Sequence, residues 1–262
     1  MSNQDLIAPR LVLVNCGDGV AHISLNRPDA RNALNTEMRE ALKGALLDAE
    51  RDEQVRAILL TGEGKHFCAG ADIHQLGART TLSSSWAPDR LDTVIESLSK
   101  PVVGALQGYV LGGGMELSLT FTIRLAADNF QGGFPEVKLG VFPALGGTQR
   151  LPRLIGEARA LEFMLTGRLF DATEAFQLGL VTEVIAADQL TERGLQLAKE
   201  LANGPPIAMR AIIECSRRAS DLSLRDGLDY ERRVFGIVCG TEDKAEGVSA
   251  WLDKRKPKFI GK

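Results

Sequence analysis

Short apolar runs rich in β-branched residues punctuate the chain as far as residue 185, at Leu11–Val14, Val20–Leu25, Ala57–Thr61, Val102–Leu106, Ile123–Ala126 and Val181–Ile185. Each reads as a strand, and helical stretches separate them, an alternation that predicts an α/β fold. The first long helix is expected to start at Asn35 or Thr36, where a capping side chain precedes Glu37, and to run through Leu42, Leu46 and Ala49 toward Asp52. Beyond Lys100-Pro101 a strand is followed by the glycine-rich run Gly108–Gly114 and then by Met115–Leu119, which reads as strand, glycine turn and helix N-terminus. Glu116 therefore falls in a first helical turn.

From about Ala187 the strand signals cease. Helices are expected at Leu190–Ala202, Ile207–Ala219, Leu224–Val238 and Glu242–Lys256, the last capped by Thr241. The pattern divides the chain into an α/β core over residues 1–186 and a helical tail over 187–262. Pro205-Pro206 marks either a hinge between them or an ordinary helix stop. The polar stretch Arg79–Pro88, with serine and threonine around Trp86, reads as a surface loop.

Composition narrows the class. With 262 residues, 44% hydrophobic, 25% charged and a net charge of −3, the chain suits a soluble globular protein of one or two domains, large enough for a core without staples. The cysteines Cys16, Cys68, Cys215 and Cys239 are scattered, with no C-x-x-C pair and no histidine at zinc-ligand spacing, so a reducing compartment and no metal are expected. Met1–Arg10 lacks the apolar stretch of a signal peptide, and no window reaches the roughly 18 apolar residues of a spanning helix. A cytoplasmic protein without membrane contact is expected. The pI near 5.8 argues against a nucleic-acid partner.

Glycine is the exception to this ordinary composition. Twelve of the 27 glycines gather around residues 62–70, 108–114 and 132–147, as close backbone approach to a ligand or positive φ in tight turns requires. They build none of the common phosphate or nucleophile motifs. Gly108–Gly113 is followed by Gly114-Met115 and lacks the P-loop lysine, while Gly112-x-Gly114 meets Leu117 where the dinucleotide pattern needs glycine. Gly247-Val-Ser249-Ala-Trp251 is no nucleophile elbow. His22, His66 and His74 fall in a strand, a loop and a helix start, settings where a histidine is more often structural than catalytic. Two glutamates remain: Glu116 behind Gly112–Gly114, and Glu136 in Gly132–Gly140. They can face one cleft if a strand returns between them, as an acid and a base whose pKa values their surroundings push apart. Equally, Glu116 can simply complement a helix dipole and Glu136 solvate a turn.

Taken together, these segments resemble the crotonase superfamily of enoyl-CoA hydratases and isomerases. The resemblance runs through Leu25–Asn35, Phe67–Ile73, Lys100-Pro101, Gly108–Leu117, Phe134–Gly140, Pro143–Pro152 and Glu246–Phe259, nearly the whole chain. It implies a crotonase fold, with repeated ββα units forming a spiral core that carries an acyl-CoA site, and a helical tail for oligomerisation. By the family pattern the backbone N–H groups of Ala71 and Gly113 form an oxyanion hole for a thioester carbonyl. Glycines opening a helix also expose such donors on their own account. Glu116 and Glu136 match the carboxylates of family hydratases, Glu116 activating water and Glu136 protonating the α-carbon.

The CoA portion is implied to lie along Ala30, Arg31, Ala69, Asp72, Ile73 and His74, although Arg31 is equally a solvated charge and His74 stands where some relatives carry lysine. Lys254, Arg255, Lys256 and Lys258 read as cations complementing a helix end, with family precedent for an approach to CoA. No cofactor is implied, coenzyme A being part of the substrate, and the family assembles as homotrimers or homohexamers. Leu119–Arg124 lacks the Cys-Asp of many relatives, and Gly133-Phe134 replaces the more usual Phe-Gly. Both changes border the cleft. The function implied is hydration of trans-2-enoyl-CoA thioesters, with a Δ3,Δ2-enoyl-CoA isomerase or another acyl-CoA enzyme of the family as the alternative within the class. A non-catalytic RNA-binding or scaffold protein is the alternative outside it, opposed by the acidic pI and the intact glutamate pair.

Overall fold

The apolar runs pair into a six-stranded sheet in the order β1-β2-β3-β4-β6-β9 in a computed structural model that describes residues 10–77 and 90–262. β1 (Val12–Gly17) and β2 (Val20–Leu25) form an antiparallel hairpin. β3 (Ala57–Gly62), β4 (Val102–Leu106), β6 (Ile123–Ala127) and β9 (Glu183–Ile185) then add in parallel. Every residue of β3 is buried, as a parallel strand covered on both faces requires. Its side chains alternate, with Ile58 and Leu60 entering one apolar core and Ala57 and Leu59 the other.

α1 (Thr36–Arg51) starts where Asn35 accepts the Met38 N–H, and it buries Met38, Leu42, Leu46 and Ala49 in the first core. α8 (Leu190–Ala202) covers the opposite face through Leu190, Ala198 and Ala202. The mixed α/β core and the helical carboxy-terminal region expected from the pattern are both present. α9 (Pro206–Arg218), α10 (Leu224–Cys239) and α11 (Glu242–Leu252) complete the tail, and Thr241 caps α11 by accepting the Lys244 N–H.

A second sheet was not legible in the pattern. β5 (Tyr109–Leu111) pairs in parallel with β7 (Gln131–Gly133), which pairs antiparallel with β8 (Leu169–Asp171). Phe130, Phe163 and Phe170 pack beneath it. Around these sheets lie α2 (Ile73–Gly77), α3 (Leu91–Ser97), α4 (Gly113–Ser118), α5 (Gly147–Ile155), α6 (Glu157–Thr166) and α7 (Ala172–Gln177). Residues 67–70 run beside β5, with Cys68 N donating to Tyr109 O at 3.1 Å and Leu111 N to Cys68 O at 3.0 Å.

Pro205-Pro206 stands just past the C-cap Asn203 of α8, the place of an ordinary helix stop, and Pro206 takes the first turn of α9, where its missing N–H costs nothing. One expectation needs correction. α11 ends at Leu252 rather than Lys256, because Lys254 adopts a left-handed φ of 54° and Arg255 turns back to bond Glu246 at 2.6 Å. The basic cluster therefore lies beyond the helix end. The expected loop Arg79–Pro88 falls outside the described residues, as does nearly all of Met1–Arg10.

Phe121 is buried in the first core, edge-on to Phe67 with ring centroids 6.0 Å apart. It fits there because β4 carries Gly104 opposite: a Cβ there would lie 2.3 Å from the Phe121 ring. Gly104→Ala is expected to cost about 1–3 kcal/mol of stability by overpacking. Combined with Phe121→Leu, the two losses measured by urea unfolding should sum to less than their separate values. Strict additivity would mean that the two sites do not share this space.

Candidate active site

The segment Ala69–Asp72 and the start of α4 come together because residues 67–70 and β5 share hydrogen bonds. A Cβ on Gly113 would lie 3.6 Å from the Ala71 nitrogen. Among the described residues, neither the Ala71 nor the Gly113 N–H has an acceptor. Gly113 opens a helix, so its N–H is one of the four that helix geometry leaves without an internal partner. Two free donors thus stand side by side at the positive end of α4.

Glu116 lies one turn into α4 and is only 2% exposed. Its Oε1 accepts the Leu145 N–H at 2.6 Å and the Gly147 N–H at 2.8 Å. Gly147 has to be bare, since a Cβ there would meet Glu116 Oε1 at 3.1 Å and Pro143 at 2.8 Å. Burial pushes the Glu116 carboxyl above its ordinary range. The two main-chain hydrogen bonds from Gly147 and Leu145 oppose that rise, Asp92 adds to it and Arg150 subtracts.

Glu136 reaches the same place from the 3-10 turn Pro135–Leu139 that follows β7. A Cβ on Gly112, whose φ is 49°, would sit 2.6 Å from Glu136 Oε1, so the carboxyl lies directly against the glycine that precedes α4. Among the described residues its Oε2 is buried without a hydrogen-bond partner. Burial raises its pKa to about 7 against a hydrogen bond from its own backbone N–H, and the charge of Glu116 adds to the rise. The return of a strand between the two glutamates is met by β7 pairing with β5. The two carboxyls interact, so they titrate as a pair, with Glu136 holding a proton well into the neutral range.

The residues expected along the CoA portion also form one surface. Ala69 N donates to Arg31 O at 2.9 Å and Leu34 N to Gly70 O at 2.8 Å, which ties the 27–35 loop to the 69–74 segment. Arg31 is exposed and stands over the Tyr109 ring at 5.7 Å, and Ile73 and His74 are exposed, Ile73 at 65%. Ala30 and Ala69 are half-buried. Asp72 differs, because its carboxylate turns inward to Arg27 at 2.6 Å and accepts the His74 and Gln75 N–H groups that open α2. Arg27 holds its carboxyl below the usual range.

Four contributions were not read from the sequence. Fully buried Asn32 accepts the Arg27 N–H and donates to Glu63 O and His66 O, so one amide sets the shape of the 27–35 loop. The left-handed pair Arg31-Asn32 behind Pro28 is the signal that marks it. His66 stacks on Tyr109 at 4.6 Å and accepts the Tyr109 N–H through Nδ1, its pKa lowered first by burial and then by Arg31 and Lys65. The donors at Leu145 and Gly147 are main-chain groups, which residue types do not advertise. Asp92 and Arg150 form the fourth contribution, through their charges at Glu116. Buried Cys68, its thiol pushed up to about 12 by burial, is no nucleophile. Among the described residues no group of three or more His, Cys, Asp or Glu is arranged to hold a metal ion.

Comparisons with known proteins bear on the chain as a whole. Residues 15–262 match the family model described as enoyl-CoA hydratase/isomerase. The chain is 40% identical over 250 residues to a probable enoyl-CoA hydratase of Mycobacterium tuberculosis, covering 95% of this chain and 97% of that protein. It is 37% identical over 253 residues to the 2,3-dehydroadipyl-CoA hydratase of Escherichia coli, covering 96% and 99%. The crystal structure of enoyl-CoA hydratase from Bacillus anthracis superposes with a TM-score of 0.91 at 36% identity, over 96% of this chain and all of that one.

A group whose folded pKa of about 7 exceeds its ordinary 4.5 binds its proton more tightly in the native state. Its ionisation therefore destabilises the fold as pH rises from about 4.5, and the loss is complete above about 7. Glu136→Gln, which cannot ionise, should gain stability over the parent at about pH 8 by up to about 3 kcal/mol and gain little at about pH 4.5, read by urea unfolding. Equal gains at both pH values would contradict a raised pKa.

Proposed function

The chain belongs to the enoyl-CoA hydratase/isomerase family, and on that premise we propose that it catalyses the reversible syn addition of water to trans-2-enoyl-CoA thioesters. One observation carries the reading: two interacting carboxyls, buried Glu116 and half-buried Glu136, flank the N-terminus of α4 next to the unpaired N–H groups of Ala71 and Gly113. The thioester carbonyl sits between those two donors, which makes the β-carbon electrophilic and stabilises negative charge on the oxygen as the enolate forms. Coenzyme A lies along the Ala30-Arg31 and Ala69–His74 surface as part of the substrate, with Arg31 and His74 at its exposed side and Asp72 supporting the segment from within.

Glu116, held as a carboxylate by the Leu145 and Gly147 N–H groups, accepts a proton from water while the water oxygen bonds to the β-carbon. The π electrons move through the α-carbon to the carbonyl oxygen. Collapse of the enolate takes the proton of Glu136 onto the α-carbon. Glu136 is then charged and Glu116 neutral, and return of one proton between them resets the site. A Glu136 pKa near 7 suits an acid that must be protonated at neutral pH yet give its proton up.

That value also favours a second reading within the family. A carboxyl that gains and loses a proton beside an enolate can move a double bond between the 3- and 2-positions without water. Product analysis on a 3-enoyl-CoA separates isomerisation from hydration. Assembly into homotrimers or homohexamers through the 187–262 tail, in the cytoplasm, belongs to the same proposal. Large apolar side chains exposed on α10, Leu224, Phe235 and Ile237, support a covered face there.

Purified protein should hydrate crotonyl-CoA, with Glu116→Gln and Glu136→Gln each lowering kcat about 10²–10⁴-fold, measured by loss of enoyl absorbance. Gly113→Pro, which deletes one donor, should lower kcat at least about 10²-fold if it folds. Unchanged turnover in either glutamine variant removes that glutamate from the chemistry. Light scattering of the same preparation should give a mass of about three or six chains, and a monomer would contradict the assembly.

A further inference from the structure

The loop that holds Glu116 is itself held, and by charges the proposed chemistry does not use. Residues Pro143–Gly147 offer two N–H groups to the Glu116 carboxylate, while two successive carbonyls of the same segment point the other way. Ala144 O accepts Arg90 Nη2 at 3.1 Å, and Leu145 O accepts Arg150 Nη1 at 2.7 Å. Both guanidiniums are anchored on α3. Buried Asp92 receives Arg90 through two bonds of 3.1 Å and Arg150 at 3.4 Å, and Glu96 receives Arg150 Nε at 2.7 Å. From the tail, Arg217 donates to the carbonyls of Glu96 and Thr120, joining α9 to the end of α3 and to the turn after α4.

The space occupied by the Arg150 guanidinium is reserved in the backbone. A Cβ on Gly146 would lie 1.8 Å from Arg150 Nη1, so the arginine reaches Leu145 O only because residue 146 is glycine. Surface ion pairs of this kind contribute little to stability. These are partly or fully withdrawn from water. Arg90 holds the oxygen of the Ala144–Leu145 peptide, whose N–H binds the reacting carboxylate, and Arg150 holds the oxygen of the Leu145–Gly146 peptide, which lies between the two donors. Because each peptide unit is planar, the Arg90 bond orients the Leu145 N–H directly, while the grip on the Leu145 carbonyl fixes the Leu145–Gly146 peptide that spaces the Leu145 and Gly147 donors.

Resting on the hydratase reading, we propose that Arg150, locked by Asp92 and Glu96, is a positioning residue for Glu116: it fixes the Leu145–Gly146 peptide that links the two N–H donors aiming the carboxylate. It touches no substrate, so its loss is expected in turnover and not in substrate affinity.

The test uses the full chain carrying Arg150→Met, Arg150→Lys or Asp92→Asn, assayed with crotonyl-CoA. For Arg150→Met the expected result is a kcat lower by about tenfold or more with KM within about threefold of the parent. Arg150→Lys should recover part of the loss by supplying one of the three bonds. Asp92→Asn, which keeps shape and one acceptor, should show a smaller loss of the same kind, and it carries the test if Arg150→Met does not fold. A kcat within about twofold of the parent, or a rise in KM with kcat unchanged, overturns the proposal. A crystal structure of the variant under assay reads the same point without substrate: the Leu145 and Gly147 N–H groups should be drawn off Glu116, and an unmoved loop overturns it. Absence of turnover in the parent on any enoyl thioester would defeat the hydratase reading alone, leaving the crystallographic result to decide the positioning role.

Discussion

A carboxylate taken out of water survives only where fixed dipoles replace the water, and the two main-chain N–H groups on Glu116 Oε1 are those dipoles. Much of the architecture around them follows from that requirement. Gly147 is bare because the carboxylate comes within contact distance, and Gly146 is bare because an arginine has to reach past it. The segment 143–147 must stay in place while α4, which carries Glu116, is anchored from β5. The first core packs α1 against the large sheet, and the hydrogen bonds between residues 67–70 and β5 pass that rigidity on to the site.

The two glutamates are made unequal by their surroundings. Glu116 has two donors on one oxygen, whereas Glu136 has a buried oxygen with none and faces the charge of its neighbour. Burial acts on both, but Glu136 is offset only by its own backbone N–H, so it is the one driven up to about 7. For the proposed reaction, environment alone thereby distinguishes the acid from the base. The free N–H groups at Ala71 and Gly113 complete the arrangement, placing attraction for negative charge where neither carboxyl can supply it.

The large sheet was legible because five of its six strands are five or six residues long and mostly apolar, and α1 was legible down to its cap because Asn35 precedes a helical period. The second sheet escaped because its strands have three residues each and one, Gln131–Gly133, holds two glycines, which no propensity marks as strand. The end of α11 was overrun because Lys254 and Arg255 are ordinary helix formers, and only the tertiary pull of Glu246 turns the chain there. The site was readable as residue types at Glu116 and Glu136. What orients them was not. Main-chain donors at Leu145 and Gly147, the buried amide of Asn32 and the Asp92–Arg150 pair act across separations of about 30 to 60 residues, where only the folded chain supplies the neighbour.

The most direct measurement is a crystal structure with a non-reacting enoyl thioester analogue bound. The carbonyl oxygen should lie about 2.7–3.1 Å from both the Ala71 and Gly113 nitrogens, with Glu116 facing the β-carbon and Glu136 the α-carbon. A carbonyl seated away from those two nitrogens, or an acyl chain approached by only one of the two carboxyls, would contradict a site in which paired carboxyls work on a polarised thioester.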